Sequence, residues 1–207
     1  MPHGDSNPFC TRFIRPGAIP FRFPQDQNAD DLVQRLRAGL RGAIVGPHGT
    51  GKSTLITTLM PTLRHAFGGR VLRQQCSSQG RIRLAELHRM IARAGDGLLV
   101  IDGFEQLSRP QRILFRLALA RSNCALLVTT HQPYAWLPVV WRTEIEDRLA
   151  LGLTAELLVG QAEYYQRGMK VFQRLWAQRR PNLRETWFAM YDDYFTWSTV
   201  THGQPIR

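Results

Sequence analysis

The sequence predicts an α/β protein with a mostly parallel sheet that helices cover on both faces. Short apolar segments alternate with amphipathic segments up to about residue 145, a glycine-rich loop follows the first apolar segment, and the later residues have a helical pattern. This alternation is typical of parallel strands, which need a crossover helix between them. With 207 residues, 43% of them hydrophobic, the chain is long enough to bury one such core.

Residues 1–30 are expected to form a proline-rich N-terminal arm, because their apolar residues have no regular period. Four phenylalanines predict that this arm is anchored to the rest of the protein: Phe9, Phe13, Phe21 and Phe23.

Residues 31–145 are expected to form the core domain. It starts with a short amphipathic helix, "ADDLVQRLRAGL", which has an acidic first turn. The following elements are predicted in the order strand "GAIVG", helix "KSTLITTLMPTLRHAF", strand "RVLRQQCS", helix "RLAELHRMIARAG", strand "GLLVID", helix "RPQRILFRLALARS", strand "CALLVTTH" and strand "LPVVWRT".

Residues 146–207 are expected to form a separate helical segment. Three helices without an intervening strand are predicted in "TAELLVGQAEYYQR", "KVFQRLWAQRR" and "NLRETWFAMYDDYF". Gly168 and Pro181 are expected to break them, because both residue types commonly end helices.

The stretch "IVGPHGTGKSTL" matches the P-loop pattern G-x-x-x-x-G-K-[ST], with an apolar strand before it and an amphipathic helix after it. Such glycines let backbone N–H groups point at a phosphate oxygen, and the helix that follows directs its positive dipole end at the same charge. Lys52 would neutralise the β- and γ-phosphates, and the Ser53 hydroxyl would ligate Mg²⁺. The predicted nucleotide-binding residues are Gly46, Pro47, His48, Gly49, Thr50, Gly51, Lys52, Ser53 and Thr54.

Polar residues at the ends of two later strands complete the predicted site. Asp102 closes the apolar strand in "LLVIDGFEQL" and is predicted to hold Mg²⁺ through a water molecule. Glu105 is placed to orient the attacking water as a general base. The strand "CALLVTTH" ends in Thr129, Thr130 and His131, and we predict that Thr130 or His131 senses the γ-phosphate.

In order along the chain, "GPHGTGKST", "LLVIDGFEQL" and "ALLVTTH" resemble the Walker A, Walker B and sensor-1 segments of the additional-strand, catalytic-glutamate division of P-loop NTPases. The spacing of Asp102 and Glu105 resembles STAND and NACHT ATPases more than typical AAA+ members. The resemblance covers about residues 40–145 and implies a three-layer sandwich with sheet order 5-1-4-3-2.

The segment "RRPNLRE" is similar to the sensor-2 segment of AAA+ lids, although it has proline where that pattern has glycine. This similarity implies that residues 146–207 form a small helical lid and that Arg184 reaches the nucleotide. Hydrolysis in trans would also require an arginine finger, for which Arg142 and Arg148 are candidates.

We therefore expect an ATP-binding and ATP-hydrolysing protein with Mg²⁺ as cofactor, acting as a nucleotide-dependent switch or assembly factor. ATP is preferred over GTP because of the division resembled and because the sequence has no N/T-K-x-D motif. Two alternatives stay open: a small-molecule kinase with the same loop, and a non-hydrolysing ATP-binding adaptor linked to nucleic acid.

Composition sets the expected location and partners. There is no apolar run of about 20 residues and no signal-like N-terminus, so a cytoplasmic protein without a membrane span is expected. Three widely spaced cysteines are expected to be reduced thiols. The net charge of +11, from 27 Lys+Arg against 16 Asp+Glu, favours a polyanionic partner. A second copy of the chain, a protein partner and nucleic acid all stay open as partners of the ATP- or ADP-bound protein.

Overall fold

The structure is a computed structural model that describes residues 7–76 and 84–203. Its strands are β1 (Arg41–Val45), β2 (Val71–Gln75), β3 (Leu98–Asp102), β4 (Ala125–Thr130) and β5 (Val139–Arg142). Within those ranges the α-helices are α1 (Thr11–Ile14), α2 (Ala29–Gly39), α3 (Lys52–Ala66), α4 (Leu84–Ala94), α5 (Arg109–Ala120), α6 (Asp147–Leu157), α7 (Ala162–Arg179) and α8 (Leu183–His202). The predicted strand end at Ser77 and helix start at Arg83 lie outside the described residues.

The five strands form one sheet in the order β2-β3-β4-β1-β5, and every pair of neighbours is parallel. Strand β4 lies between β1 and β3, so the predicted order 5-1-4-3-2 is confirmed. Parallel register brings the strand ends to one edge, where Val45 pairs with Thr130 and Gln75 pairs with Asp102. Polar residues that follow these strands therefore share that edge.

Described residues 21–46, 52–76 and 84–143 form one compact unit, called here the sheet unit. Strands β3 and β4 are buried along their whole length. Leu99 and Ile101 pack into one hydrophobic core with α4 and α5, whereas Leu98 and Val100 pack into a second core with α2 and α3. Helices therefore cover both faces of the sheet, as predicted for an α/β fold.

Local capping explains where two of these helices begin. The Asn28 side chain accepts a hydrogen bond from the Asp31 N–H at the start of α2, at 3.0 Å. Ser108 and Gln111 form a reciprocal capping box at the start of α5. Such caps satisfy backbone N–H groups that have no partner inside the helix.

Residues 7–20, 47–51 and 144–203 form the second compact unit, called here the helical unit. Its described residues contain no β-strand of two or more paired residues. Buried aromatic side chains dominate its core, and the buried polar groups among them are paired. The Trp187 Nε1–H donates to Thr154 Oγ1 at 2.9 Å, and the Tyr194 hydroxyl donates to Gln161 Oε1 at 2.7 Å.

The predicted helix break at Gly168 is wrong. Gly168 lies inside α7 and is buried, and the preceding helix α6 already ends at Leu157. A Cβ atom at Gly168 would lie 2.7 Å from Tyr164 Cε1 and 3.0 Å from Leu158 Cδ1. Glycine is therefore used here for close packing, not to end the helix.

The N-terminal residues pack as the phenylalanines predict. Phe9 is buried in the core of the helical unit. In the sheet unit, the Phe21 and Phe23 rings make edge contacts with Trp141, with ring centroids 6.3 and 5.5 Å apart. Every helix among the described residues is too short or too polar to span a lipid bilayer.

Candidate functional site

The glycine-rich loop connects β1 to α3 without an intervening element. Gly49 and Gly51 adopt positive φ angles of 72° and 91°, and α3 begins at Lys52, directly after the loop. Within the loop, the Thr50 hydroxyl donates to the Pro47 carbonyl oxygen at 2.9 Å. Turns of this kind directly before a helix are typical of anion-binding loops.

Gly49 is also closely packed within the helical unit. A Cβ atom at this position would lie 2.8 Å from Asn182 Cα and would overlap the Asn182 amide. Asn182 caps α8, because its Oδ1 accepts from the Glu185 N–H at 3.2 Å. The start of α8 therefore packs against the loop at a point where only glycine fits.

Lys52 lies at the first turn of α3. Its Nζ donates to the Gly46 carbonyl oxygen at 2.6 Å. Burial lowers the pKa of Lys52, whereas the charges of Glu105 and Asp102 act in the opposite direction. The ammonium group is thus held in a partly desolvated position near two carboxylates.

Asp102 is the centre of the hydrogen-bond network. Its side chain is only 5% exposed, and its Oδ1 accepts from the Ser53 hydroxyl at 3.0 Å and from the Thr129 hydroxyl at 2.7 Å. Thr129 Oγ1 in turn accepts from the Gly103 N–H at 2.7 Å. The two predicted metal ligands, Ser53 and Asp102, are therefore in direct contact although 49 residues separate them in sequence.

The other carboxylate oxygen of Asp102 contacts an arginine that sequence reasoning missed. Arg73, on β2, donates from one terminal nitrogen to Asp102 Oδ2 at 3.1 Å and from the other to Thr57 Oγ1 at 3.0 Å. Thr57 donates to the Ser53 carbonyl oxygen at 2.9 Å. No motif marks Arg73, because its role depends on the register between β2 and β3.

Glu105 lies on a short 3-10 turn, Phe104–Gln106, after Gly103. Phe104 is fully buried and anchors this turn. Glu105 Oε1 lies 2.7 Å from His131 Nε2, so two predicted catalytic residues meet. Among the described residues, Glu105 Oε2 is a buried side-chain oxygen without a hydrogen-bond partner. A carboxylate oxygen in that state is suited to accept a proton.

A buried thiol packs next to these carboxylates. The Cys76 N–H donates to the Asp102 carbonyl oxygen at 2.8 Å. Burial raises the pKa of Cys76 to about 11, and the charges of Glu105 and Asp102 add to the effect. The thiol is therefore protonated at neutral pH.

The remaining predicted residues have separate surroundings. The Thr130 hydroxyl donates to the Gln132 carbonyl oxygen at 3.0 Å, so Thr129 and not Thr130 contacts Asp102. In the helical unit, the Arg184 guanidinium lies 5.3 Å from the centroid of the Phe188 ring. The other predicted residues have these exposures: Pro47, His48, Arg142 and Arg148 are exposed, and Thr54 is half-buried.

The side-chain oxygens of Ser53 and Asp102 fit a magnesium ion that is bound together with phosphates. Mg²⁺ prefers oxygen ligands and is usually held by one or two side chains plus phosphate oxygens. Ser53 and Asp102 offer such a hydroxyl and carboxylate in contact. Among residues 7–76 and 84–203, no group of three or more His, Cys, Asp or Glu side chains is placed to hold a metal on its own. Compared with known protein families and curated proteins, the chain matches no family model and no curated protein.

Proposed function

We propose that this protein binds ATP with Mg²⁺ and hydrolyses it to ADP and phosphate, as a P-loop ATPase of the additional-strand, catalytic-glutamate division. The observation that carries the proposal is the Ser53–Asp102 hydrogen bond at the end of the glycine-rich loop. The sheet order, with β4 between β1 and β3, supports the same division.

Each group has a chemical task in this proposal. The loop from Gly46 to Gly51 and the first turn of α3 would bind the phosphates, and Lys52 would neutralise their charge. Ser53 and Asp102 would hold Mg²⁺, which when bound neutralises phosphate oxygens. Glu105 would accept a proton from water at Oε2, with its other oxygen fixed by His131.

Further assignments belong to the same proposal. Residues 146–207 would act as a lid, with Arg184 reaching the nucleotide, and the chain would act as a switch or assembly factor. The packing of Asn182 against Gly49 supports a role for the start of α8 near the phosphate loop. Light scattering with and without ATP and Mg²⁺ tests the assembly role: an assembly factor gains mass with nucleotide, whereas a monomeric kinase does not.

Lys52→Ala is the direct test of nucleotide binding. We expect the variant to lose most of its ATP affinity in calorimetry while its circular dichroism spectrum stays native. Lys52 would supply the positive charge that neutralises the phosphates, and it contributes nothing to the packing of the core. Lys170→Ala is the matched control, since Lys170 is the chain's other lysine and is exposed on α7. Equal ATP affinity in both variants would reject the proposal.

A further inference from the structure

Arg73 forms an ion pair with the carboxylate that the proposed function assigns to Mg²⁺. Its guanidinium lies 3.1 Å from Asp102 Oδ2. The Asp102 side chain is only 5% exposed, whereas that of Arg73 is 28% exposed, so the carboxylate is largely removed from water while the guanidinium still reaches solvent. A buried carboxylate requires a compensating charge or hydrogen bonds. Arg73 contributes that positive charge.

The guanidinium is held from two sides. One terminal nitrogen donates to Asp102 on β3, and the other donates to Thr57 on α3. Thr57 is itself fixed by its bond to the Ser53 carbonyl oxygen. These hydrogen bonds connect Arg73 to both proposed magnesium ligands. The positive charge of the guanidinium therefore stays next to the place where a divalent cation would bind.

A second cation at Asp102 would therefore meet electrostatic repulsion. An oppositely charged neighbour within about 4–6 Å changes the affinity of a carboxylate for a proton by roughly 10- to 1,000-fold. The same physics lowers the affinity of Asp102 for any other cation. The phosphates of a nucleotide bring several negative charges and reverse this balance.

We propose that Arg73 makes the site take up its divalent cation only together with nucleotide phosphates. Without nucleotide, the guanidinium neutralises Asp102 and keeps free metal out. With nucleotide, the added negative charge binds the cation and outweighs the arginine. This inference rests on the proposed function, since it assumes that Ser53 and Asp102 form the metal site.

The test measures Mn²⁺ binding in the absence of nucleotide, by electron paramagnetic resonance of the free ion. We expect weak binding by the wild type and at least about tenfold tighter binding by Arg73→Gln, following the electrostatic argument above. Arg73→Lys keeps the charge and should bind Mn²⁺ as weakly as the wild type. The double variant Arg73→Gln with Asp102→Asn should lose the gain. Equal Mn²⁺ affinity in the wild type and Arg73→Gln would overturn the inference.

Thermal unfolding covers the case in which Arg73→Gln is unstable. Mn²⁺ alone should then raise the melting temperature of this variant and leave that of the wild type unchanged. If Arg73→Gln does not fold even with Mn²⁺, Thr57→Val removes one anchor of the guanidinium and should raise Mn²⁺ affinity by a smaller factor. An unchanged affinity in Thr57→Val would then count against the inference.

The outcomes separate this inference from the proposed function. A wild-type protein that does not bind ATP would reject the proposed function, whatever the Mn²⁺ results. A wild-type protein that binds ATP, together with no gain of Mn²⁺ affinity in the Arg73 and Thr57 variants, would reject the role of Arg73 alone.

Discussion

At the residue scale, Glu105 is the residue at which the proposed hydrolysis of the nucleotide can be tested separately from its binding. Its Oε1 is held by His131, and its Oε2 is buried without a hydrogen-bond partner among the described residues. An unpartnered buried oxygen costs free energy, and such strain is commonly found at functional sites. The arrangement suits a group that must accept a proton from a bound water molecule.

We expect Glu105→Gln to bind ATP and to hydrolyse it more slowly by about 10²- to 10⁴-fold, because the amide keeps the shape but cannot act as a base. Phosphate release under single-turnover conditions measures the effect. Glu163→Gln, which removes the same charge from an exposed position on α7, should hydrolyse at the wild-type rate. Full turnover by Glu105→Gln would assign the base to another residue.

The residues to which sequence reasoning assigned a role differ in kind from those that only the structure connects to the candidate site. Lys52, Ser53 and Asp102 belong to local patterns, because a phosphate loop and a strand end are encoded by neighbouring residues. Arg73, Thr129 and Asn182 act through contacts with distant parts of the chain. Their roles depend on strand register and helix packing, which no local pattern specifies.

At the scale of elements, helix α7 shows that tertiary packing can decide where a helix ends against the local preference of a residue. The sequence predicts a helix break at Gly168, but α7 continues through this residue from Ala162 to Arg179. The Tyr164 ring occupies the space that a side chain at Gly168 would need. Tyr164 is fully buried, and its hydroxyl donates to Asp193 Oδ2 at 2.8 Å, so the ring cannot easily move away.

We expect Gly168→Ala to destabilise the protein by roughly 1–3 kcal/mol, the usual cost of overpacking a core, although alanine favours helices. The control is Gly152→Ala in α6, where a Cβ atom would meet nothing within 4 Å. That variant should be stabilised by about 0.5–1 kcal/mol. Urea unfolding of both variants measures the difference, and a stable Gly168→Ala would show that Tyr164 can repack.

At the scale of the whole molecule, the sheet order was predictable, whereas the division into compact units was not. The order was implied by the resemblance of the loop and strand-end segments to one division of P-loop NTPases, and the sheet has that order. The clustering of residues 7–20 and 47–51 with residues 144–203 depends on long-range packing, such as Phe9 in the helical core and Asn182 against Gly49. Contacts between segments so far apart leave no periodic trace in the sequence.

Net charge is also a property of the whole molecule. The charge of +11 predicts that the chain attracts polyanions and that salt weakens this attraction. Helix α5 illustrates the imbalance, because it carries Arg109, Arg112 and Arg116 and no acidic residue. Each phosphate that such a surface neutralises releases counterions. For duplex DNA, each of these phosphates contributes about −0.9 to the slope of log K against log salt.

If nucleic acid is the polyanionic partner, we expect the protein to bind duplex DNA at about 50 mM salt and to lose most of that affinity by about 200 mM. Fluorescence anisotropy with a labelled duplex measures the slope of log K against log salt. Combining Arg109→Ala with Arg116→Ala should make this slope less steep, by up to about 0.9 for each of the two phosphate contacts that are lost. Repeating the titration with ATP and Mg²⁺ tests function, because coupling between two ligands is reciprocal. DNA affinity that rises with ATP would make nucleic acid the partner that the nucleotide controls. Affinity that is indifferent to ATP would leave the arginines a general electrostatic role and direct the search to a protein partner.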